Sequence, residues 1–367
     1  MNWEKMFEYA EVLELSPYGV NREKKRAVLE QGLRQLTLYH LNHCAQYRKM
    51  LDALGYSPEG IETLGLEEIP YIPVRMFKEL ELSSVNKEDV FKTLTSSGTS
   101  GQKTSKIFLD RQTAANQQKT MAKIVADFTG ESRSPMIIID CPSVTKNRAL
   151  FSARGAGILG FSIFGRDILY ALDDDMNLRM GAVSEYIEKY NKESILLFGF
   201  TFMIWQHFYK ELEQRNTSLN ISNGIMIHGG GWKKLISEKV SAKDFTEKLR
   251  EVCGNIRVSS YYGMVEQTGS IYMECECGNL HASTYSDIII RRATDFGVCK
   301  NGEDGIVEVL SMLPKSYPGH ALLTEDKGVI LGEDNCPCGR KGKYFRIHGR
   351  LKSAEIRGCS DTYAAKF

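Results

Sequence analysis

Between Asn21 and Leu51, apolar side chains recur at helical spacing: Leu29, Leu33 and Leu36, followed by Leu41, Tyr47 and Leu51. This spacing gathers them on one side of a helix, and Asn21 carries the short polar side chain of an N-cap, so a helical N-terminal section is predicted. Pro70 and Pro73 end it, because each restricts the residue before it to extended conformations. The boundary of the section is set near residue 90. The pattern then changes. Ile107-Phe108-Leu109 reads as a short strand, and Asp110 caps a helix with Ala114, Met121, Ile124, Val125 and Phe128 on its apolar face. Continuous apolar runs at 136–139, 195–198 and 225–227 alternate with helix-like stretches such as 182–190 and 201–210. Such runs suit strands buried on both faces, and their alternation with helices predicts an α/β architecture. From about Val258, glycine turns and short runs such as 305–310 predict a smaller β-rich section. The organisation expected is therefore 1–90 helical, 91–257 α/β core, 258–350 β-rich and 351–367 a short tail. No internal repeat or low-complexity tract interrupts it.

Composition narrows the classes of partner. The 367 residues are 42% hydrophobic and 25% charged, and 47 Lys and Arg oppose 46 Asp and Glu for a net charge of +1. A balanced surface of this kind supplies no electrostatic reason to bind nucleic acid or an anionic membrane, so small molecules and proteins are the expected partners. The start, Met1-Asn2-Trp3-Glu4-Lys5-Met6-Phe7-Glu8, lacks a basic segment followed by an apolar one, and no apolar run approaches membrane-spanning length. A cytoplasmic protein without stable membrane insertion is expected, and self-association is compatible with the sequence.

Candidate chemistry concentrates first in Thr95-Ser96-Ser97-Gly98-Thr99-Ser100-Gly101-Gln102-Lys103-Thr104-Ser105-Lys106. Gly98 and Gly101 allow tight turns that converge backbone N–H groups on an anion. Ser96, Ser97, Thr99 and Ser100 add hydroxyl donors, and Lys103 and Lys106 add charge. The stretch reads as a phosphate cradle. It is not a P-loop, since the template started at Gly98 needs glycine where Lys103 stands. A second glycine-rich turn, Gly229-Gly230-Gly231, follows the apolar run 225–227 and His228 and would let a flat ring lie against the backbone.

Ser96-Ser97-Gly98-Thr99-Ser100-Gly101 resembles the [ST]-S-G-[TS]-[TS]-G signature of adenylate-forming enzymes, the superfamily of acyl- and aryl-CoA synthetases, luciferases and adenylation domains. Tyr262-Gly263-Met264-Val265-Glu266 is similar to that superfamily's Y-G-x-[TS]-E motif, with Val265 in place of the hydroxyl residue. The resemblance implies that Tyr262 and Gly263 lie near adenine and that Glu266 helps hold Mg²⁺, whose charge the triphosphate requires before a carboxylate attacks the α-phosphorus. Thr324-Glu325-Asp326 resembles the T-G-D motif with glutamate replacing glycine, which assigns Asp326 to the ribose hydroxyls, and Gly349-Arg350 matches the G-R before the hinge. ATP is the implied nucleotide. The order and spacing of these motifs carry the resemblance further than any one of them.

Most of the superfamily continues well beyond that G-R as a mobile lid with a catalytic lysine, whereas here Gly349-Arg350 is followed by Leu351-Lys352-Ser353 and the sequence runs to Phe367. A truncated lid is therefore expected. With 95–106, 262–267, 275–281, 336–340 and 349–363, the chain resembles the acyl-protein synthetase family nearly end to end. That family is the ligase component of the fatty acid reductase that makes aldehyde for bacterial luciferase. The resemblance implies a large α/β adenylate-forming domain that activates a fatty acid as acyl-AMP. It also implies transfer of the acyl group to a cysteine of the enzyme and delivery to a reductase protein. An acyl- or aryl-CoA ligase of the phenylacetate type is the alternative.

The nine cysteines fall into distinct roles. Cys275-Glu276-Cys277-Gly278, His281 and Cys336-Pro337-Cys338-Gly339 form two compact soft-ligand groups some sixty residues apart, a pattern that points to one structural Zn²⁺ site using four of the five side chains. Cys359 stands alone beside Gly358 near the C-terminus. A thiolate on a short tail is a strong nucleophile towards an activated carbonyl, and Cys359 is the expected acyl acceptor. Phe151, Phe161, Phe164, Phe198, Phe200 and Phe202 are available for an apolar slot, most of them as core. His207 and His348 are read as satisfied or surface histidines.

Overall fold

The computed structural model describes residues 9–96, 103–146, 153–232 and 238–351. Its contacts divide these residues into two compact units, one of 9–96, 103–127 and 263–351 and one of 128–146, 153–232 and 238–262. The division does not follow chain order: the N-terminal helices and the β-rich section, read separately from the sequence, belong to one unit.

The reason lies in the helix Arg22–His43. Asn21 caps it by accepting from the Lys24 N–H at 3.2 Å. Leu29, Leu33, Leu41, Tyr47 and Leu51 are buried as their spacing requires. Leu36 is only half-buried, whereas Thr37, Leu38 and His40 are buried, because the second half of the helix carries a wider covered face. Its polar side chains reach far along the sequence. Lys25 Nζ donates to the Ala282 carbonyl at 3.1 Å and pairs with Asp287 at 3.4 Å. Thr37 contacts His320, and His40 contacts the Pro314 carbonyl at 3.0 Å.

The strands so covered are antiparallel, in the order Ser286–Arg291, Gly305–Ser311, Ala321–Glu333, Lys343–Arg350, Leu280–His281, Tyr272–Glu274. Ser286–Arg291 and Gly305–Ser311 are buried at every residue, so both faces are covered and no polar alternation survives. Glu308 lies inside this layer because Arg291 pairs with it. Ile72–Pro73 adds in parallel to Ala321–Glu333, which places the proline-restricted segment at a sheet edge, where a missing N–H is tolerated. Lys92–Thr95 and Lys106–Leu109 form a separate antiparallel hairpin.

The helix Arg111–Thr129 corrects one expectation. Asp110 caps it, accepting from the Thr113 N–H at 2.6 Å, but Ala114 and Met121 are half-buried. The buried residues are Thr113, Gln117, Thr120, Ile124, Val125 and Phe128, half of them polar, with Ile124, Val125 and Phe128 covered as their spacing predicts. Pairing makes this tolerable: Thr120 bonds Tyr9 Oη at 2.6 Å, and Gln117 donates to Tyr317 Oη at 3.4 Å.

In the second unit the described strands form a parallel sheet in the order Gly165–Tyr170, Ser134–Ile138, Leu196–Phe200, Ile225–Gly229, Arg257–Tyr262. Leu196–Phe200 is buried throughout. Ala153–Ser162, Met180–Lys189 and Ala242–Cys253 are connecting helices. The stretch predicted as a helix over 201–210 begins α-helical at Thr201–Ile204 and widens into a π-turn at Trp205–Tyr209. No helix among the described residues is long and apolar enough to cross a membrane.

Candidate active site and metal centre

The glycine loop hangs from the hairpin. Thr95 pairs with Lys106 at the end of the ladder, and beyond them Ser96 and Ser105 clamp the loop from both sides. The Ser105 N–H donates to Ser96 Oγ at 2.8 Å, and the Ser96 N–H donates to the Ser105 carbonyl at 3.1 Å. Ser97, Gly98, Thr99, Ser100 and Gly101 lie outside the described residues. Lys103 pairs with Glu79 at 2.8 Å and Lys106 with Glu81 at 2.7 Å, both on the surface. Exposed pairs of this kind are screened by solvent and contribute little, so either ammonium is available to an anion.

Glu266 lies on the short turn Val265–Gln267 after Gly263 and is 6% exposed. Gln267 fixes the turn by donating to the carbonyls of Gly319 at 2.8 Å and Val309 at 3.1 Å. Burial pushes the Glu266 carboxyl above the usual carboxylate range, against the pull of the adjacent Ser105 hydroxyl and the more distant Arg350 charge. The Ser105 hydroxyl is fully buried beside that carboxyl. A buried carboxyl next to a hydroxyl offers the oxygen ligands that a hard cation requires. Asp326 and Arg350 face each other across neighbouring strands, with 3.8 Å between Oδ1 and Nε. Asp326 is held by its N–H to Thr324 Oγ1 at 3.1 Å, and Thr324 in turn donates to the Val307 carbonyl at 2.7 Å.

In the other unit, the second glycine turn begins at the end of Ile225–Gly229. Gly229 cannot carry a side chain, because a Cβ there would collide with the Tyr261 ring, and Gly230 has φ +76°, a conformation that favours glycine. Gly231 is open, with no atom within 4 Å of the Cβ position. Thr201 organises the turn. Its hydroxyl lies 3.2 Å from the Gly229 carbonyl and 3.0 Å from that of Gly230, and His228 Nδ1 is 3.0 Å away. Since the carbonyls can only accept, the threonine donates to them and His228 donates to the threonine, which fixes the histidine tautomer. Burial lowers the His228 pKa to about 4, so the ring is neutral near pH 7. Tyr262 ends the Arg257–Tyr262 strand, half-buried.

The cysteine groups meet in the first unit. Ligand atoms of Cys275, His281, Cys336 and Cys338 all lie within 4.8 Å of one another. Cys275 Sγ is 3.9 Å from Cys336 Sγ, and Cys338 Sγ is 3.4 Å from His281 Nε2. Sulfurs on a tetrahedral zinc with bonds of about 2.3 Å stand roughly 3.8 Å apart. Cys277 is exposed and outside this cluster. Each pair sits on a glycine turn, with Gly278 at φ +72° and Gly339 at φ +83°. Their N–H groups donate back to the carbonyls of Cys275 and Cys336 at 2.9 and 3.0 Å. Although burial opposes charge on Cys336, hydrogen bonds from the Cys338 N–H and Asn279 hold its thiol below the ordinary range, the state a metal ligand requires. Three thiols and one imidazole fit Zn²⁺.

Residues 7–367 match the family model for acyl-protein synthetase, LuxE. The chain belongs to that family. Among relatives of this acyl-protein synthetase, the long-chain-fatty-acid–luciferin-component ligase of Aliivibrio fischeri is 23% identical over 357 residues, covering 92% of this chain and 88% of the relative. The Vibrio harveyi protein of the same name is 22% identical, covering 90% and 85%. Among solved structures, 2-hydroxyisobutyryl-CoA ligase, in an open conformation with its acyl adenylate and CoA, superposes with a TM-score of 0.68 at 16% identity, covering 92% of this chain and 77% of the other. The synthetase thus has the α/β fold of the adenylate-forming enzymes, and it is a ligase.

Set against the synthetase's sequence, the structure brings Asp326 to Arg350 and Ser96 to Ser105, and it assembles Cys275, His281, Cys336 and Cys338. Cys359 lies outside the described residues. Ser105 and Thr201 were missed as site residues. Ser105 was visible only as one more hydroxyl in a polar stretch, and Thr201 only as the residue joining a strand to a helix. His348 is a surface histidine, 3.0 Å from Asp304.

Proposed function

We propose that this acyl-protein synthetase uses ATP to activate a long-chain fatty acid as acyl-AMP and then transfers the acyl group to the thiol of Cys359 for delivery to a reductase protein. The observation that carries the reading is the buried Glu266 carboxyl beside Ser105, the residue that also clamps the glycine loop. The relatives' names supply the substrate class. In the first step a carboxylate oxygen attacks the α-phosphorus, the bond to the bridging oxygen breaks, and pyrophosphate leaves. The loop residues Ser96, Ser97, Gly98, Thr99, Ser100 and Gly101, with Lys103 and Lys106, bind the phosphates. Gly229, Gly230, Gly231, Tyr262 and Gly263 take the adenine end, Asp326 the ribose, and Arg350 steadies Asp326. Glu266 would hold Mg²⁺, which when bound neutralises triphosphate charge. In the second step the Cys359 sulfur, having lost its proton, attacks the acyl carbon, the bond to AMP breaks, and a thioester forms. A zinc ion held by Cys275, His281, Cys336 and Cys338 would have no open position for water and would serve to tie the two cysteine turns together.

The test is intact-mass analysis after incubation with ATP, Mg²⁺ and a panel of carboxylic acids. A thioester released by neutral hydroxylamine and mapped to the peptide holding Cys359 is expected, without coenzyme A. Cys359→Ser should keep pyrophosphate release and lose the adduct, whereas Glu266→Ala should lose both. Acylation elsewhere, or turnover only with coenzyme A, would overturn the reading.

A further inference from the structure

The second glycine turn is held on three sides. A Cβ on Gly229 would collide with the Tyr261 ring, and one on Gly230 would stand 3.1 Å from Phe200 Cδ1, so aromatic rings close two of them. The third side belongs to the helical segment that starts at Thr201. Thr201 and Trp205 are four residues apart on it, about one helical turn, and so project from the same face. The Thr201 hydroxyl meets the carbonyls of Gly229 at 3.2 Å and Gly230 at 3.0 Å, and the Trp205 ring meets Trp232 edge-on with centroids 5.2 Å apart. The turn is therefore gripped just before and just after Gly231, whose Cβ position has no atom within 4 Å.

That grip decides which way the backbone faces. Successive carbonyls of an extended strand point to opposite sides, but Gly230, at φ +76°, bends the chain so that two consecutive carbonyls reach one hydroxyl. The peptide bonds here are trans, and in a trans peptide the N–H points away from the C=O. With the Gly229 and Gly230 carbonyls turned onto Thr201, the N–H groups of Gly230 and Gly231 are turned away from it, towards the open side at Gly231. Both glycines are exposed, and neither N–H donates to a group among the described residues. Thr201 has little freedom to let go. It is 6% exposed, and His228 Nδ1, 3.0 Å away, donates to its oxygen, which leaves the hydroxyl hydrogen for the carbonyls.

We propose that Thr201 is a positioning residue for ATP: by holding both carbonyls it turns the N–H groups of Gly230 and Gly231 outward as a pair of donors for the adenine end of the nucleotide. The proposal rests on the reading of this chain as an ATP-using ligase whose second glycine turn takes adenine. The ring nitrogens of adenine accept hydrogen bonds, so a turn that shows donors fits them and one that shows carbonyls repels them. Removing the hydroxyl frees the two peptides to swing. The loss then falls on ATP binding, before any bond forms or breaks, and not on the chemical step.

The experiment is calorimetric titration of the full chain with ATP and Mg²⁺, alongside pyrophosphate release with a long-chain acid, for wild type, Thr201→Val and Thr201→Ser. Valine keeps the shape without the hydroxyl, and serine keeps the hydroxyl. Thr201→Val should raise Kd and KM for ATP about tenfold while kcat and KM for the acid stay within about twofold, and Thr201→Ser should remain within about threefold of wild type throughout. The split between ATP and acid is the readout, because a merely structural role would weaken both alike. If Thr201→Val does not fold, Thr201→Ala, which removes the same hydroxyl, decides. An unchanged Kd for ATP in a folded variant without the hydroxyl, an equal loss in Thr201→Ser, or a KM change confined to the acid overturns the role of Thr201 alone. A wild type that binds no ATP overturns this role and the reading on which it rests.

Discussion

Ser96 and Ser105 hold each other by two hydrogen bonds at 2.8 and 3.1 Å, and the nine-residue separation between them spans the glycine loop. The contact acts as a clasp: whatever the loop binds, its two ends are fixed to the hairpin Lys92–Thr95 and Lys106–Leu109. Ser96→Ala removes the acceptor for the Ser105 N–H. A part-buried donor left without a partner costs about 1–3 kcal/mol, and a shift of the loop on the order of 1 Å is enough to cost one to two powers of ten in rate. We expect kcat/KM for ATP to fall about tenfold or more, measured by pyrophosphate release, with Tm lower by about a few °C. An unchanged kcat/KM would show that the clasp does not position the loop.

The metal centre separates the five candidate ligands. Cys338→Ser or Cys275→Ser should abolish binding of one zinc per chain and lower Tm by roughly 5 °C or more, since the metal's binding energy contributes to folding. Cys277→Ser should change neither, because Cys277 is exposed and outside the cluster. Elemental analysis with thermal melts checks both. Zinc lost from the Cys277 variant but kept in the Cys338 variant would reverse the assignment.

Much of this arrangement is legible in the sequence, and the part that is not has a common cause. Asn21, Asp110, the buried strand runs and the glycine turns act within a few residues of themselves, so pattern alone finds them. Lys25 and Asp287 are 262 residues apart, and neither carries a mark of the other, so the joining of the N-terminal helix to the β-rich section could not be read. Lys92–Thr95 was missed because it is largely exposed and shows no apolar alternation. The row Thr113, Gln117 and Thr120 carries no apolar mark for the converse reason: it is polar and buried, and Tyr9 and Tyr317 satisfy two of its members from distant parts of the chain. Thr201 belongs to the same class, being defined by carbonyls nearly thirty residues later.

Asp287 offers a test of that long-range joint. It is 2% exposed and sits between Lys25 and Lys343, the latter at 2.8 Å. Burial opposes its charge, but the two ammonium groups together hold its pKa below the ordinary value. Asp287→Asn leaves Lys25 buried without a counter-charge and should destabilise the chain by about 3–5 kcal/mol in urea denaturation. Lys25→Met should cost less, because Asp287 keeps Lys343. Equal losses in the two variants would show that Lys343 does not share the carboxylate.

His40 and His320 stack with ring centroids 5.0 Å apart and planes 24° from parallel. Both are buried, and burial holds them neutral. His40 Nε2 donates to the Pro314 carbonyl, so in the neutral ring Nδ1 accepts from Ser84 Oγ at 2.7 Å. Thr37 donates to the Leu33 carbonyl, so His320 Nε2 donates to Thr37, and His320 Nδ1 is left buried with no hydrogen bond of its own. Burial lowers the His320 pKa to about 3, and burial with the neighbouring ring lowers that of His40 well below its ordinary value. The unfolded chain therefore takes up protons near pH 6.5 that the folded chain refuses. Stability from this pair is complete above about pH 6.5 and is lost as pH falls from there towards 3, at up to about 1.4 kcal/mol per pH unit for each histidine. Gln at position 320 can still donate to Thr37 and does not titrate, so His320→Gln should flatten the dependence by about one proton. Urea unfolding free energies at pH 7, 6 and 5 for the two proteins give that slope directly, and parallel curves would show that His320 is not the group whose protonation unfolds the chain.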